Sequence, residues 1–452
     1  MFLTFVLVVF SFSVGTFGTP SPDSTDTNTD VSVTPLRGGS FAKVAGRQFS
    51  IDGETTFFSG TNAWYLSTEP DPAMVDETLN NIAKAGMKAV RVWGFADANE
   101  PTSDKAYFRV LNSTGSFINE GPDGIQRLDH LVSSAEKHGV RVVLPLVNYW
   151  AQAGGGMIIY NNVFGGTETS WYTDEKCQEA YRYWIQYVTN RYKNSPAIFS
   201  WQLANEPRCT KCELKIIREW ARTTSAYIKS LDSNHMVSLG DEGWLGADPE
   251  GDYPYKGSEG IDWVENLGID TLDYHTVHMY PESWGQTLEW GSTWIKQHDD
   301  AGASAGKVVV MEEYGADKDR LEIMLPWQET ILKSDIAMDM SWQIGGPAAK
   351  GNVDIYSISV DNKEEFNTLG KEHARKMYAK SGGRTGELPI GNAGNRSSAA
   401  PPNKTSEPAI SSSDSAAGPA VTCYTGCEVA PITGVELGHE DEYEDCWVPA
   451  EL

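Results

Sequence analysis

The feature that most constrains the fold is an alternation of short apolar runs with amphipathic stretches. Several runs are apolar without a polar residue at every second position, which is typical of parallel strands covered on both faces. The eight runs are FFSGTNA (57–63), AVRVWGF (89–95), RVVLPLVN (141–148), FSWQLANEP (199–207), MVSLGDEG (236–243), YHTVHMY (274–280), KVVVMEEYG (307–315) and MDMSWQIGG (338–346).

Helical patterns occupy the intervals between these runs, as at 71–86, 125–138, 174–193 and 213–231, and one follows the last run at 363–380. Eight strand–helix units predict an α/β fold, a (β/α)8 TIM barrel. A doubly wound open sheet is the alternative, but no glycine-rich phosphate loop follows the first run. The preceding FAKVAGRQFSIDG predicts a β-hairpin that turns at residues 45–47 and closes the barrel floor.

The two ends of the chain have other compositions. Residues 1–18 are apolar, with small residues where a signal peptidase would cleave, so they predict a signal peptide and a secreted, extracellular protein; a retained anchor is the alternative. Residues 19–36 predict a disordered leader, 383–422 a Ser/Pro/Ala-rich linker and 423–452 a short acidic tail with cysteines. The catalytic domain is then 37–382. Three sequons, at Asn112, Asn395 and Asn403, become candidate glycosylation sites.

Charge limits the possible partners. A net charge of -26 argues against binding to nucleic acid or to an anionic membrane, because polyanions would be repelled. A neutral sugar is not affected, and flat aromatic faces suit sugar rings, although most of the 15 Trp and 19 Tyr should be core. We expect a monomer without a cofactor.

Cysteine spacing predicts one local link. Cys209 and Cys212, in CTKC, would suggest zinc or redox chemistry in a cytosolic protein. In an exported chain without a second pair at zinc spacing nearby, a disulfide is favoured. The partners of Cys177, Cys423, Cys427 and Cys446 remain open.

Polar and aromatic side chains recur where the runs end, at the same level of the predicted barrel. Barrel enzymes place their chemistry at these carboxyl ends of strands. Two carboxyls, from the fourth and seventh runs, are what glycosidic cleavage requires: one donates a proton, and one attacks or activates water. Only His275 and His278 approach metal-ligand spacing, so we expect no metal. The residues at the ends are Arg91, Trp93, Asn148, Trp150, Asn205, Glu206, Glu242, His278, Tyr280, Glu312, Glu313 and Trp342.

Residues 41–380 resemble the fungal endo-β-1,4-mannanases of glycoside hydrolase family 5. The resemblance lies in VRVWGF, LDHLVSSAEKHGVRVVLPLVN, WYTD, NEPRC, LDSNHMVSLGDEG, HMYPESWG and EEYG, in that order. It implies cleavage of β-mannan, with Glu206 as acid/base and Glu313 as nucleophile; alternation along the strand could not choose between Glu312 and Glu313. It implies further that the residues around the cleaved sugar are Arg91, Asn205, His278, Tyr280 and Trp342. Arg208 and Glu242 are then expected to serve the leaving group. The cleft is expected to be lined by Asn148, Trp150 and Trp93.

Four expectations can be tested on the structure. Pro207 should hold Glu206 extended; partial burial should raise the pKa of Glu206; Arg91 and Tyr280 should keep Glu313 ionised; and the resemblance implies a cis peptide after Trp342. Three alternatives stay open: hydrolysis of another β-glycan such as β-1,4-glucan, attack at mannan chain ends, and a non-catalytic carbohydrate-binding barrel.

Overall fold

The computed structural model describes residues 40–103, 105–151, 155–246, 248–346 and 353–380. The predicted signal peptide, leader, linker and acidic tail lie outside these residues, as do Cys423, Cys427 and Cys446. The strands are β1 (Lys43–Ala45), β2 (Gln48–Ile51), β3 (Glu54–Thr56), β4 (Phe58–Asn62), β5 (Ala89–Arg91), β6 (Asp97–Ala98), β7 (Arg109–Asn112), β8 (Gly115–Ile118), β9 (Arg141–Pro145), β10 (Ile198–Gln202), β11 (Met236–Ser238), β12 (Tyr274–Met279), β13 (Val308–Tyr314), β14 (Met338–Ser341), β15 (Ile344–Gly345) and β16 (Ile358–Ser359).

Eight of these strands form one parallel sheet in the order β11-β10-β9-β5-β4-β14-β13-β12. Its outer strands meet, because Asp273 N donates to Val237 O at 2.9 Å and His278 N donates to Glu242 O at 3.1 Å. All eight coincide with the apolar runs, and the strand residues are buried on both faces. The predicted (β/α)8 barrel is confirmed.

The barrel floor is closed by the β1–β2 hairpin, as predicted. Phe49 and Ile51 on β2 pack inside the bottom of the barrel with the first residues of the parallel strands. The Phe49 ring lies 5.0 Å from that of Phe199 and 5.6 Å from that of Tyr274, edge to face. Such contacts between buried aromatic rings add to the free energy gained by burial alone.

Helices cover the outside of the sheet, and local signals set their ends. Asp71 caps α1 by accepting from Ala73 N at 2.9 Å, and Asp174 caps α4 by accepting from Cys177 N at 2.9 Å. None of the described helices has the length and apolarity needed to cross a bilayer. The helices are α1 (Pro72–Lys84), α2 (Ile125–His138), α3 (Met157–Phe164), α4 (Glu175–Tyr192), α5 (Lys215–Leu231), α6 (Trp263–Asn266), α7 (Trp290–Ala305), α8 (Arg320–Lys333), α9 (Lys363–Glu365) and α10 (His373–Ala379), with a π-helical turn at Phe366–Glu372.

A small three-stranded sheet, β6-β7-β8, was not predicted. Its strands have only two to four residues, too few for a periodic pattern. A buried ion pair joins two of its strands, since Arg109 Nε on β7 donates to Asp97 Oδ1 on β6 at 3.1 Å. Arg109 Nη1 also donates to Ala180 O on α4 at 2.8 Å, which connects the sheet to the outer helices. The sheet lies in the connection between β5 and α2, beside the mouth of the barrel.

Candidate active site

Glu206 and Glu313 converge at the open end of the barrel. One carboxylate oxygen of each, together with one ring nitrogen of His278, lie within 4.8 Å of one another. The two glutamates are 8% and 6% exposed, so each reaches the cleft from a largely buried position. A separation this short is that of carboxyls in retaining glycosidases; inverting enzymes need about 6.5–9.5 Å to admit a water molecule.

Glu313 is held by two donors. Tyr280 OH donates to Oε1 at 2.8 Å, and Arg91 Nη1 donates to Oε2 at 3.0 Å. The register between β12 and β13 shifts here, which pairs His278 with Glu313 rather than with Glu312. Glu312 is fully buried beneath, where Gln202 Nε2 donates to both of its oxygens at 2.9 Å. The structure thus decides which of the two adjacent glutamates faces the cleft.

Glu206 follows β10 and has a backbone conformation that the sequence did not predict. Its φ is 47°, in the left-handed region, so the expectation that Pro207 keeps it extended was wrong. The preceding Asn205 still pairs with Asn148, and Glu206 N donates to Gly240 O at 2.9 Å. These ladder contacts hold the backbone where the chain turns away, since Pro207 has no N–H to continue the ladder. A non-glycine residue at positive φ is uncommon and such residues cluster at functional sites.

The Glu206 carboxylate has a donor on each oxygen. Trp150 Nε1 donates to Oε2 at 2.6 Å, and His278 Nδ1 lies 2.8 Å from Oε1. His278 Nε2 lies 3.4 Å from Glu312 Oε2 on its other side. The fully buried imidazole therefore connects three carboxyl groups of the site.

The protonation of this cluster differs from the expectation. Burial raises the pKa of Glu206, but the hydrogen bond and charge of His278 outweigh burial and lower it to about 2. Burial lowers the pKa of His278, but the charge of Glu313 and the hydrogen bonds to Glu206 and Glu312 raise it to about 10. Burial raises the pKa of Glu313 to about 7, although the charges of His278 and Arg91 and the hydrogen bond of Tyr280 lower it. The expectation that Arg91 and Tyr280 keep Glu313 ionised is therefore met only above that pH. The expectation that the pKa of Glu206 is raised was wrong, because the neighbouring His278 imidazolium holds the proton and stabilises the Glu206 carboxylate.

Arg91 lies behind the carboxyls and is fully buried. Besides Glu313, it donates to Gln202 Oε1 at 2.9 Å and to Asn205 Oδ1 at 2.6 Å. Asn205 Nδ2 donates in turn to Asn148 Oδ1 at 2.9 Å. Gln202 was missed from the sequence, although an amide inside a run of strand formers was the available signal.

Arg208 lies on the Glu206 side of the cleft. It binds Glu242 through two hydrogen bonds, of 2.8 and 2.6 Å, and its guanidinium lies 4.7 Å from the Trp150 ring centre and 5.3 Å from that of Trp244. The next residue, Cys209, forms the predicted disulfide with Cys212. Cys177 is buried and has no disulfide partner among the residues that the structure describes. Trp244 was not singled out from the sequence, though it follows the fifth run directly.

Trp342 lies on the other side, after β14. The peptide bond between Trp342 and Gln343 is cis, as expected, and Trp342 Nε1 donates to Asp354 Oδ2 at 2.7 Å. Its ring centre lies 5.9 Å from that of Trp93, which is 5% exposed and stacks on Phe95 at 5.4 Å. Trp93 is thus mostly core that supports Trp342. A cavity of about 500 Å³ continues from Trp93 past Trp64 and Phe95.

Comparisons with known proteins agree with this geometry. Residues 39–384 match the family described as GH family 5 beta-mannosidase-like. A mannan endo-1,4-beta-mannosidase A from Podospora anserina is 47% identical over 343 residues, covering 75% of this chain and 91% of that protein. The corresponding enzyme of Hypocrea jecorina is 45% identical over 342 residues, covering 75% and 78%. The crystal structure of an endo-1,4-beta-mannanase from Rhizomucor miehei superposes with a TM-score of 0.70 at 34% identity, covering 75% of this chain and 99% of that one.

Proposed function

This chain belongs to glycoside hydrolase family 5, among its β-mannosidase-like members, and from that premise we propose that it is a secreted, endo-acting hydrolase of β-1,4-mannan. The observation that carries the proposal is the short separation of two carboxyls, Glu206 after β10 and Glu313 on β13, at the mouth of the barrel. The relatives named above are mannan endo-1,4-beta-mannosidases, which supports mannan over other β-glycans as substrate.

The reaction is a double displacement. Glu313 attacks the anomeric carbon while Glu206 protonates the departing oxygen, which leaves a glycosyl-enzyme bond to Glu313. Glu206 then takes a proton from water, whose oxygen attacks the same carbon from the side that the leaving group vacated, and the bond from that carbon to Glu313 breaks to free the Glu313 carboxylate. Two inversions give net retention of the β configuration.

Proton supply follows from the hydrogen bonds of the resting site. His278 carries a proton at Nδ1, 2.8 Å from Glu206 Oε1. When a sugar chain enters the cleft and excludes water, the buried pair of charges loses solvent stabilisation and the proton passes to Glu206. Arg91 and Tyr280 remain on Glu313 and keep it as the nucleophile.

The remaining residues bind or position the substrate. Trp342, partly exposed and fixed by Asp354, forms the floor for the sugar that becomes attached to Glu313. Asn205 lies beside Glu206, where it can bind a sugar hydroxyl. Arg208, held between Trp150 and Trp244, serves the leaving-group side.

The test is product analysis with matched variants. The chain should release reducing ends from linear mannan but not from carboxymethyl cellulose, and the viscosity of galactomannan should fall early, as internal cleavage requires. Glu206→Gln and Glu313→Gln should lose nearly all activity, whereas Glu179→Gln, at an exposed position on α4, should keep it. Cleavage of the cellulose derivative alone, or release of small products without a fall in viscosity, would refute the substrate or the endo action.

A further inference from the structure

The β7–β8 hairpin carries the sequence Asn112-Ser113-Thr114 at its turn. Thr114 donates twice to Asn112 Oδ1, from its backbone N at 2.9 Å and from Oγ1 at 2.7 Å. Both hydrogen bonds use the amide oxygen, which leaves Nδ2, the atom that carries the sugar in N-glycosylation, for attachment. Asn112 is itself partly exposed.

Phe117, on the second strand of this hairpin, is 52% exposed, which is unusual for a phenylalanine. Asn112 is paired with Gly115 and Val110 with Phe117, so Asn112 and Phe117 project from the same face. A Cβ atom on Gly115 would lie 3.5 and 3.6 Å from Cζ and Cε2 of Phe117. The phenyl ring therefore lies over Gly115, directly beside Asn112.

The hairpin is a fixed platform. Arg109, at its base, is fully buried and bonded to Asp97, and Asn99 Nδ2 donates to Leu111 O at 2.9 Å. A group that packs on an already ordered surface binds more favourably than one that must first order a flexible surface, because no free energy is spent on that ordering. The exposed ring of Phe117, which lies over Gly115, forms an apolar shelf beside the attachment atom.

We propose that Asn112 is N-glycosylated and that the first N-acetylhexosamine packs its CH face on Phe117, stabilising the β7–β8 hairpin. The sugar is transferred from a lipid-linked pyrophosphate donor: a bond forms between Asn112 Nδ2 and sugar C1, the bond from C1 to the pyrophosphate oxygen breaks, and the Nδ2 proton is lost to the released pyrophosphate. The proposal rests on the proposed secretion, since the donor is met only on the export route.

Peptide mass analysis of the full chain from a secreting yeast tests the attachment. To isolate one site, Asn395 and Asn403 are changed to Gln. The peptide with Asn112 should carry sugar, and enzymatic release in heavy-oxygen water should leave labelled Asp at that position. An unmodified Asn112 in active, secreted protein would overturn the proposal while leaving the mannan hydrolysis standing.

Thermal unfolding tests the packing. Trimming the glycan to one N-acetylglucosamine should preserve Tm, and complete removal should lower it by roughly 2–4 °C. An unglycosylated Asn112→Asp variant should match the stripped protein, which controls for the new charge. In Phe117→Ala, trimmed and stripped forms should unfold at the same temperature. An equal Tm difference with and without the Phe117 ring would overturn the packing, whatever the state of Asn112, and activity on mannan should be unchanged in every form.

Discussion

The indole N–H of Trp150 donates a 2.6 Å hydrogen bond to Oε2 of Glu206. The same indole ring stacks against the guanidinium of Arg208, which Glu242 holds through two hydrogen bonds. One chain of contacts therefore runs from the leaving-group side of the cleft to the acid/base. Trp150 is 37% exposed, so its position depends on this stacking.

Replacing Trp150 with Phe should remove the hydrogen bond and keep the ring over Arg208. A hydrogen bond to a charged group contributes about 1.5–3 kcal/mol, so kcat/KM on mannan should fall roughly 10–100-fold. Trp150→Ala should in addition raise KM, because Arg208 loses its platform. Steady-state kinetics on a soluble mannan measures both, and full activity in the Phe variant would show that the indole N–H is dispensable.

Tyr280→Phe should weaken the nucleophile and shift its titration. The Tyr280 hydrogen bond lowers the pKa of Glu313, so its loss raises that pKa. Glu313 must be ionised to attack, so the acidic limb of the kcat/KM profile should move to higher pH. At pH values below that limb, kcat/KM should be roughly 10–100-fold lower than in the unmutated enzyme. Tyr183→Phe, at an exposed site on α4, is the matched control and should leave the profile in place.

His278→Asn should move both limbs of the profile. His278 lowers the pKa of Glu206 and of Glu313, so its removal raises both. The reaction needs Glu313 ionised and a proton for Glu206, which in the resting site is held by His278 with a pKa of about 10. Without the imidazole the acidic limb should move to higher pH and the basic limb to lower pH, so the profile should narrow. His130→Asn, on the surface of α2, is the control. Limbs that stay fixed in His278→Asn would show that this imidazole does not titrate with the carboxyls.

The sequence predicted the barrel well because each strand is a buried apolar run and each helix is amphipathic, and both are local patterns. It located Glu206 and Glu313 because strand ends share one level in a barrel. The choice of Glu313 over Glu312 came from the resemblance. The register shift between β13 and β12 explains that choice structurally, and alternation of side chains along one strand cannot predict such a shift.

The errors concern properties set by long-range contacts. The positive φ of Glu206 occurs where Glu206 N donates to Gly240 O and the preceding Asn205 pairs with Asn148, and both partners are far away in the sequence. Its low pKa depends on His278, which is 72 residues away along the chain. Gln202 was overlooked because its role appears only once Arg91 and Glu312 flank it. Local patterns carry no information on such pairings.

Gly240→Ala should destabilise the protein and disturb Glu206. Gly240 has φ +86°, and a Cβ atom there would lie 1.9 Å from Ala204 O, next to the hydrogen bond that fixes Glu206 N. Left-handed strain and overpacking together cost about 2–5 kcal/mol. Gly306→Ala, also at positive φ but with nothing within 4 Å of the added Cβ, should cost only about 1–2 kcal/mol and keep full kcat. Urea unfolding and kinetics compare the two, and equal losses would contradict the close-approach explanation.

The roles of the two carboxyls can be separated by azide rescue. In Glu206→Ala, an aryl mannoside with a good leaving group needs no proton to depart, so Glu313 still forms the glycosyl-enzyme, and azide should capture it with the β configuration kept. In Glu313→Ala no glycosyl-enzyme can form, and azide can only attack directly to give the α product. The carboxyls have one oxygen each inside the 4.8 Å cluster, a separation that matches a retaining site and is shorter than the roughly 6.5–9.5 Å of an inverting site. The unmutated enzyme should therefore release β-configured product first, as proton NMR of early time points would show. β-Mannosyl azide from Glu313→Ala would instead assign the nucleophile to another carboxyl, with Glu312 directly beneath as the first candidate.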